Sequence, residues 1–478
     1  MTNRKLNVHR SLSDDLLDGA FAESKAGKVE KYRATGILGT LFGFTVASSI
    51  MLAACSNAQE NAPPVASSTA QSNITQENVP PLKDAFKGKF LIGTIASNRL
   101  LQGQDPATEA LVRRHFDALT AENAMKPDAM QPREGEFNFA AADRLVEIAQ
   151  QSGATVVGHT LVWHSQTPSW FFQGPDGQPA SRELALARMR THIKTVVGRY
   201  KGRIKQWDVV NEAINDGPGV LRPSPWLRAI GEDFIAEAFR AAHEADPDAI
   251  LVYNDYNIEL NYKRPKALEL LKRLIEQKVP IHGVGIQAHW RMTPPLAEME
   301  ETIKQFSALG LKVMITELDI GVLPTQYQGA DISARETMTP EQQAVMNPYT
   351  QGLPAEVAQQ HAERYRQAFE LFMRYKDVIG RVTLWGTHDG ESWLNGFPVR
   401  GRTDYPLLFD RRYQPKPAFF AVQKVAQAQN AQAATDQAPL AQNPVAQKKS
   451  APRQAAQNQT TQKPVVQKQS AASRAAEK

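Results

Sequence analysis

The chain has 478 residues with ordinary apolar content and a formal net charge of +5, enough for one large domain with tails or for two or three average ones. The charge does not point to nucleic acid: residues 424–478 hold eight Lys/Arg and two acids, a surplus of +6, and everything before them sums to about −1, which is a solvated basic tail on a near-neutral body. A single cysteine, Cys55, excludes an internal disulfide and a cysteine metal cluster.

Taken in chain order, the first feature is an uncharged apolar run from Gly36 to Ala54, preceded by Lys31 and Arg33. A charged stretch followed by an apolar one is the pattern of an export signal. The run ends Leu52-Ala53-Ala54-Cys55, which resembles a bacterial lipoprotein box and implies cleavage before Cys55 and a lipid on its sulfur. Residues 1–54 are therefore expected to be a leader, although some thirty residues stand before the apolar run, more than a signal normally has. An uncleaved anchor is the alternative, since the run is long enough to span a bilayer. Residues 55–81, rich in Ala, Ser, Gln, Asn and Pro, read as a flexible tether.

Short apolar or β-branched runs then recur at Phe90–Ala96, Phe116–Thr120, Thr155–Val162, Ile204–Val210, Ile250–Tyr253, Gly283–Ala288, Lys312–Thr316 and Arg381–Trp385. Helical patterns stand between most of them, at Ala141–Gln151, Leu184–Tyr200, Phe234–Ala245, Lys266–Gln277, Met299–Leu309 and Val357–Tyr375. Strand–helix alternation predicts parallel strands with helical crossovers. Eight such units predict a closed (β/α)₈ TIM barrel, a single catalytic domain over residues 82–423. An open doubly wound sheet would want a Gly-rich turn after its first strand, and Gly93-Thr94-Ile95-Ala96 does not supply one. From residue 424 the Gln/Ala/Pro/Lys-rich sequence predicts a disordered tail.

In such a barrel the active site lies at the C-terminal ends of the strands. Those positions carry Asn98; Glu122, Asn123 and Lys126; His159, Trp163 and His164; Asn211 and Glu212; Asn254, Asp255 and Tyr256; Gln287, His289 and Trp290; Glu317 and Asp319; and His388, Asp389 and Trp393. One polar residue after a strand is usually a cap. Polar and aromatic groups after nearly every strand are a site. Glu212 and Glu317 each extend an apolar run, 105 residues apart, which places them three strands apart and facing across the barrel mouth. Paired carboxylates flanking a cleft serve glycosidic cleavage, by retention or inversion according to their separation. Trp163, Trp290, Trp385 and Trp393 would offer flat apolar faces to sugar rings, while Trp170, Trp207 and Trp226 are assigned to packing. His159, His164, His289 and His388 lack a metal-ligand spacing, so no metal is expected. No nucleophile elbow and no phosphate-binding glycine loop occurs.

At these residues the chain resembles glycoside hydrolase family 10, from about residue 82 to 423. The motifs are Thr120-Ala121-Glu122-Asn123-Ala124-Met125-Lys126, Gly158-His159-Thr160-Leu161-Val162-Trp163-His164, Trp207-Asp208-Val209-Val210-Asn211-Glu212, Gly285-Ile286-Gln287-Ala288-His289 and Ile315-Thr316-Glu317-Leu318-Asp319. The resemblance implies a retaining endo-β-1,4-xylanase without a cofactor, with Glu317 as nucleophile and Glu212 as acid/base. It implies that Asn211 holds the sugar 2-hydroxyl, that Gln287 and His289 position Glu317, and that Asp319 bonds His289. Glu122, Asn123, Lys126, His159, Trp163 and Trp385 would line the glycone side, with Trp393 as a roof. His164 and Tyr256 are expected in support. The segment Leu323–Gln359 is long and polar and would shape the aglycone side. The expected partners are xylan or xylo-oligosaccharides and, through Cys55, a membrane; the chain is expected to be monomeric and not to bind nucleic acid. An endo-glucanase or mixed β-glycanase is the rival within the enzyme class, because only a hydroxymethyl group separates glucose from xylose. A polysaccharide-binding lipoprotein that does not cut is the rival outside it.

Overall fold

The computed structural model describes residues 78–325, 332 and 338–437, with side chains through Ala428. The leader, Cys55, the tether to residue 77 and the tail after Gln437 lie outside the described residues. Nine strands occur among them: β1 (Leu91–Ala96), β2 (Ala118–Ala121), β3 (Thr155–Trp163), β4 (Ile204–Asn211), β5 (Ile250–Asp255), β6 (Gly283–Ile286), β7 (His289–Arg291), β8 (Lys312–Gly321) and β9 (Ile379–Leu384). All pair in parallel. Consecutive pairings run from β1 to β6, then β6 pairs β8, β8 pairs β9 and β9 returns to β1. That closes an eight-stranded barrel, with β7 a short extra pairing on β8 at the rim.

Eight longer helices wrap it: α1 (Pro106–His115), α2 (Ala140–Ser152), α3 (Arg182–Arg199), α4 (Phe234–Ala245), α5 (Arg264–Glu276), α6 (Leu296–Ser307), α7 (Ala355–Arg374) and α8 (Pro417–Gln437). Their starts follow from local chemistry. Asp105 accepts the Thr108 N–H at 3.0 Å at the head of α1, and Ser181 accepts that of Leu184 at 3.2 Å at the head of α3, each satisfying a donor the helix leaves open. Their inner faces are apolar. In α4, Phe234, Ile235 and Phe239 are buried, and each such side chain stabilises the fold by about 2 kcal/mol.

Two boundaries differ from those read in the sequence. Asn78–Pro81 already belongs to the barrel's base: Val79 is buried, and Gln423 donates to the Pro80 carbonyl at 3.1 Å. Helix α8 runs through residue 424 and on to Gln437. Phe419, Val422, Val425 and Ala426 pack it to the core, and the Ala/Gln-rich sequence beyond has the propensity to propagate a helix already nucleated. Composition alone hides that anchor.

Besides shifts near the starts of β3 and β8, pairing is irregular toward the C-terminal rim. The register between β3 and β4 slips between His159 and Val162, that between β4 and β5 slips between Asp208 and Val210, and that between β8 and β9 slips between Ile315 and Leu318. Bulges of this kind re-aim side chains at barrel rims. Here they immediately precede Glu212 and straddle Glu317.

Candidate active site

A cleft opens at this rim, lined by Lys126, His159, Trp163, Asn211, Glu212, Gln287, His289, Glu317, Ile332, Trp385 and Trp393. Glu212 follows β4 with φ 57°, a left-handed conformation rare for a residue with a Cβ and costing on the order of 1 kcal/mol or more. Its N–H is held by the Asn254 carbonyl at 2.9 Å. Ala288, between Gln287 and His289, has φ 60° and turns both neighbours toward the cleft.

The two carboxyls are dressed differently. Glu212 accepts from Trp163 Nε1 at 2.8 Å through Oε2 and from Gln287 Nε2 at 2.9 Å through Oε1. Burial, the nearby Asp255 carboxylate and, less strongly, Glu317 outweigh those bonds and push Glu212 up to about 7. Glu317 is equally buried, and burial alone would raise it. Its hydrogen bond to His289, the neighbouring His159, the charge on His289 and a bond from Asn254 hold it below the usual carboxylate range. His289 Nε2 stands 3.2 Å from Glu317 Oε2 and Nδ1 stands 3.0 Å from Asp319 Oδ2. Burial would discharge this imidazole, but the two carboxylates push it up to about 10, so it carries both protons and donates to both.

One side of the cleft is built on cations and indoles. Lys126 Nζ donates to Asn123 Oδ1 at 2.9 Å and to Gln166 Oε1 at 3.0 Å, and lies 4.8 Å from the centre of the Trp163 ring. Glu122 and Asn123 border the cleft through Lys126; burial raises Glu122, against the pull of Lys126. His159 is fixed by Asp208 Oδ2 at 3.0 Å and sits edge-on to Trp385, with centroids 5.4 Å apart. Trp393 donates to Asp319 Oδ2 at 2.8 Å and lies over His289, centroids 4.9 Å apart. His164 Nδ1 is 3.9 Å from Glu212 Oε2. Tyr256 is buried outside the cleft: Arg222 bonds its hydroxyl at 2.6 Å and the Glu212 carbonyl at 3.1 Å, so Tyr256 supports the acid's backbone.

Two readings change and one is extended. Gln287 meets both glutamates: its carbonyl accepts the Glu317 N–H at 3.0 Å, and its Nε2 donates to Glu212 Oε1 at 2.9 Å. Trp290 is core, not platform: it is buried, bonds Glu259 Oε1 at 2.8 Å and packs near Phe372. One residue farther than His289 on a strand means the opposite face. His388 lies apart from the other three histidines, within reach of Asp105 and Glu391. Its Nδ1 accepts from Gly390 N–H at 3.1 Å, which leaves the proton of the neutral ring on Nε2, a donor suited to a carboxylate and not to a cation. Trp207 and Trp226 are buried as expected, and Trp226 backs the site by donating to the Trp163 carbonyl at 2.9 Å.

Asn254 emerges as an unassigned member. Its Nδ2 donates to Glu317 Oε1 at 2.8 Å and to Asn211 Oδ1 at 2.9 Å, while its Oδ1 accepts from Thr316 at 2.6 Å. Position at the end of β5 is the only sequence signal for it. Of the Leu323–Gln359 segment, Ile332 reaches the cleft, and a short helix, Pro340–Met346, stands exposed beyond it.

Residues 81–425 match the model of glycosyl hydrolase family 10. The chain is 43% identical over 350 residues to an endo-1,4-beta-xylanase of Geobacillus stearothermophilus, covering 73% of this chain and 99% of that protein. It is 41% identical over 346 residues to endo-1,4-beta-xylanase B of Paenibacillus barcinonensis, covering 72% and 98%. Among solved structures, an endoxylanase of the same family retrieved from a sugarcane soil metagenome superposes with a TM-score of 0.69 at 45% identity, covering 72% of this chain and 99% of that one. Another, at 38% identity, TM-score 0.64 and coverage of 72% and 99%, is a mutant in complex with xylotriose. With the barrel, the paired glutamates and the family match over one continuous span, the chain belongs to glycosyl hydrolase family 10.

Proposed function

We propose that this protein is an endo-β-1,4-xylanase that cleaves xylan with retention, Glu317 acting as nucleophile and Glu212 as acid/base. The observation that carries the roles is the divergence of two equally buried carboxyls, Glu212 pushed up to about 7 and Glu317 held low. A pair whose environments drive them apart divides acid from nucleophile. The Glu317 carboxylate attacks the anomeric carbon as Glu212 gives its proton to the leaving oxygen. Glu212, now a carboxylate, then takes a proton from water, whose oxygen displaces Glu317 and restores the original configuration. Asn211, beside both carboxyls, is suited to the 2-hydroxyl. Lys126, His159, Trp163 and Trp385 are suited to the glycone sugars.

The test is Glu317→Ala. Activity on xylan falls by several orders of magnitude, and azide restores part of it with inverted glycosyl azide as product. Retained hydrolysis refutes the nucleophile. Hydrolysis of xylan against carboxymethyl-cellulose separates xylanase from glucanase. We further propose export as a monomeric catalyst tethered to a membrane by lipid on Cys55; the support is the apolar run ending Leu52-Ala53-Ala54-Cys55. Mass analysis of the membrane fraction tests it, and an unmodified Cys55 in freely secreted protein refutes it.

A further inference from the structure

Beneath the cleft the barrel contains a charge that the reaction scheme does not use. Arg381, on β9, is fully buried. It stands two residues before Thr383, so both side chains share the inward face, and its Nη1 donates to Thr383 Oγ1 at 2.6 Å. Gly93 on the adjoining β1 makes room: a Cβ there would stand 2.5 Å from that hydroxyl. Among the described residues, no protein group accepts from Arg381 Nε or its second Nη. An inward guanidinium with unmet donors is a costly filler, and apolar side chains would fill a barrel more cheaply.

What faces it is negative. Burial lowers the guanidinium's pKa, and the charges it feels in compensation are Asp208 and Glu317. Asp208 bonds His159 through Oδ2, while its buried Oδ1 has no protein partner either. The barrel thus places one buried cation on β9 level with Met314 of β8, three residues before the carboxylate assigned as nucleophile. In a low-dielectric interior such a charge acts without direct contact.

We propose that Arg381 is a positioning residue for the reaction, its buried charge steadying the Asp208–His159 pair and favouring the ionised Glu317 from below. The inference rests on the nucleophile role proposed above. A cation near a carboxylate favours its charged form, so removing it raises the pKa of Glu317. The acid limb of the kcat/KM–pH profile then moves to higher pH.

Arg381→Met and Arg381→Gln are compared with Arg381→Lys, folding being read from circular-dichroism melts. Either neutral variant is expected to move the acid limb upward by about one pH unit, with activity at acidic pH falling about tenfold, and Arg381→Lys to restore most of it. A neutral variant that folds and keeps its acid limb in place overturns the proposal. Failure of both neutral variants to fold assigns the charge to barrel stability and overturns it as well. The nucleophile role is checked separately with Glu317→Ala in azide: loss of that result sinks the role itself, whereas a fixed acid limb with normal azide rescue sinks only the part given to Arg381.

Discussion

The indole N–H of Trp163 donates to Oε2 of Glu212 across 2.8 Å. That bond favours the charged carboxyl, as does the bond from Gln287, yet Glu212 sits at about 7 because burial and then the Asp255 charge prevail. Asp255 is itself pinned by Lys263 at 2.9 Å and Tyr253 at 2.6 Å. Asp255→Asn therefore lowers the pKa of Glu212, and the basic limb of kcat/KM shifts down from its position near 7 by about half a unit to one unit. Glu212→Ala abolishes that limb. A limb that persists in Glu212→Ala assigns the acid/base role to another group.

The imidazole of His289 stays charged throughout the working range because Asp319 and Glu317 hold it near 10. Asp319→Asn removes one of those charges, lowers His289 and weakens its bond to Glu317. Glu317 then titrates higher, and the acid limb rises. With a charged donor lost from the site, kcat falls on the order of 100-fold. Pre-steady-state kinetics should show the glycosylation step slowed; an unchanged acid limb refutes the relay.

Holding Glu212 at about 7 has a stability cost whose sign is fixed. The folded form binds this proton more tightly than the unfolded chain, whose carboxyl titrates near 4.5. The stability this gives is full below about 4.5 and is lost as pH rises through about 7. Glu212→Gln does not ionise, so at pH 8 it is expected to be more stable than the parent by up to about 3 kcal/mol, with no such gap at pH 4. Chemical denaturation at the two pH values measures this, and equal gaps refute it.

Gly285 on β6 adjoins Asn254 and Thr316: a Cβ there would stand 2.4 Å from Asn254 Oδ1 and 2.8 Å from Thr316 Cγ2. Gly285→Ala should cost about 1–3 kcal/mol through overpacking and displace the amide that bonds Glu317. The expected result is a fall in kcat larger than the change in KM. Unaltered kcat with only a lower melting temperature would mean that Asn254 repacks without consequence.

The barrel was legible because its strands are buried on both faces and read as apolar runs, and α4 begins and ends where the pattern puts it. The glutamates were legible because each extends such a run. The partners were not. Gln287 and Trp290 look equivalent after β6, and only the turn at Ala288 and the strand's alternation decide that one reaches Glu212 while the other enters the core. Asn254 carries no signal beyond its place, and the bulges before Glu212 and across Glu317 are pairing irregularities between strands distant in sequence. Where Leu323–Gln359 was read as shaping the cleft, Ile332 is the described residue that reaches it.

Gln423 of α8 donates to the Pro80 carbonyl, ahead of the short helix Leu82–Ala85 that leads to β1. Two stretches far apart in sequence thus meet at the barrel's base, with the carboxyls at the opposite rim. A change at this clasp is therefore felt by the barrel's stability before it is felt by the groove.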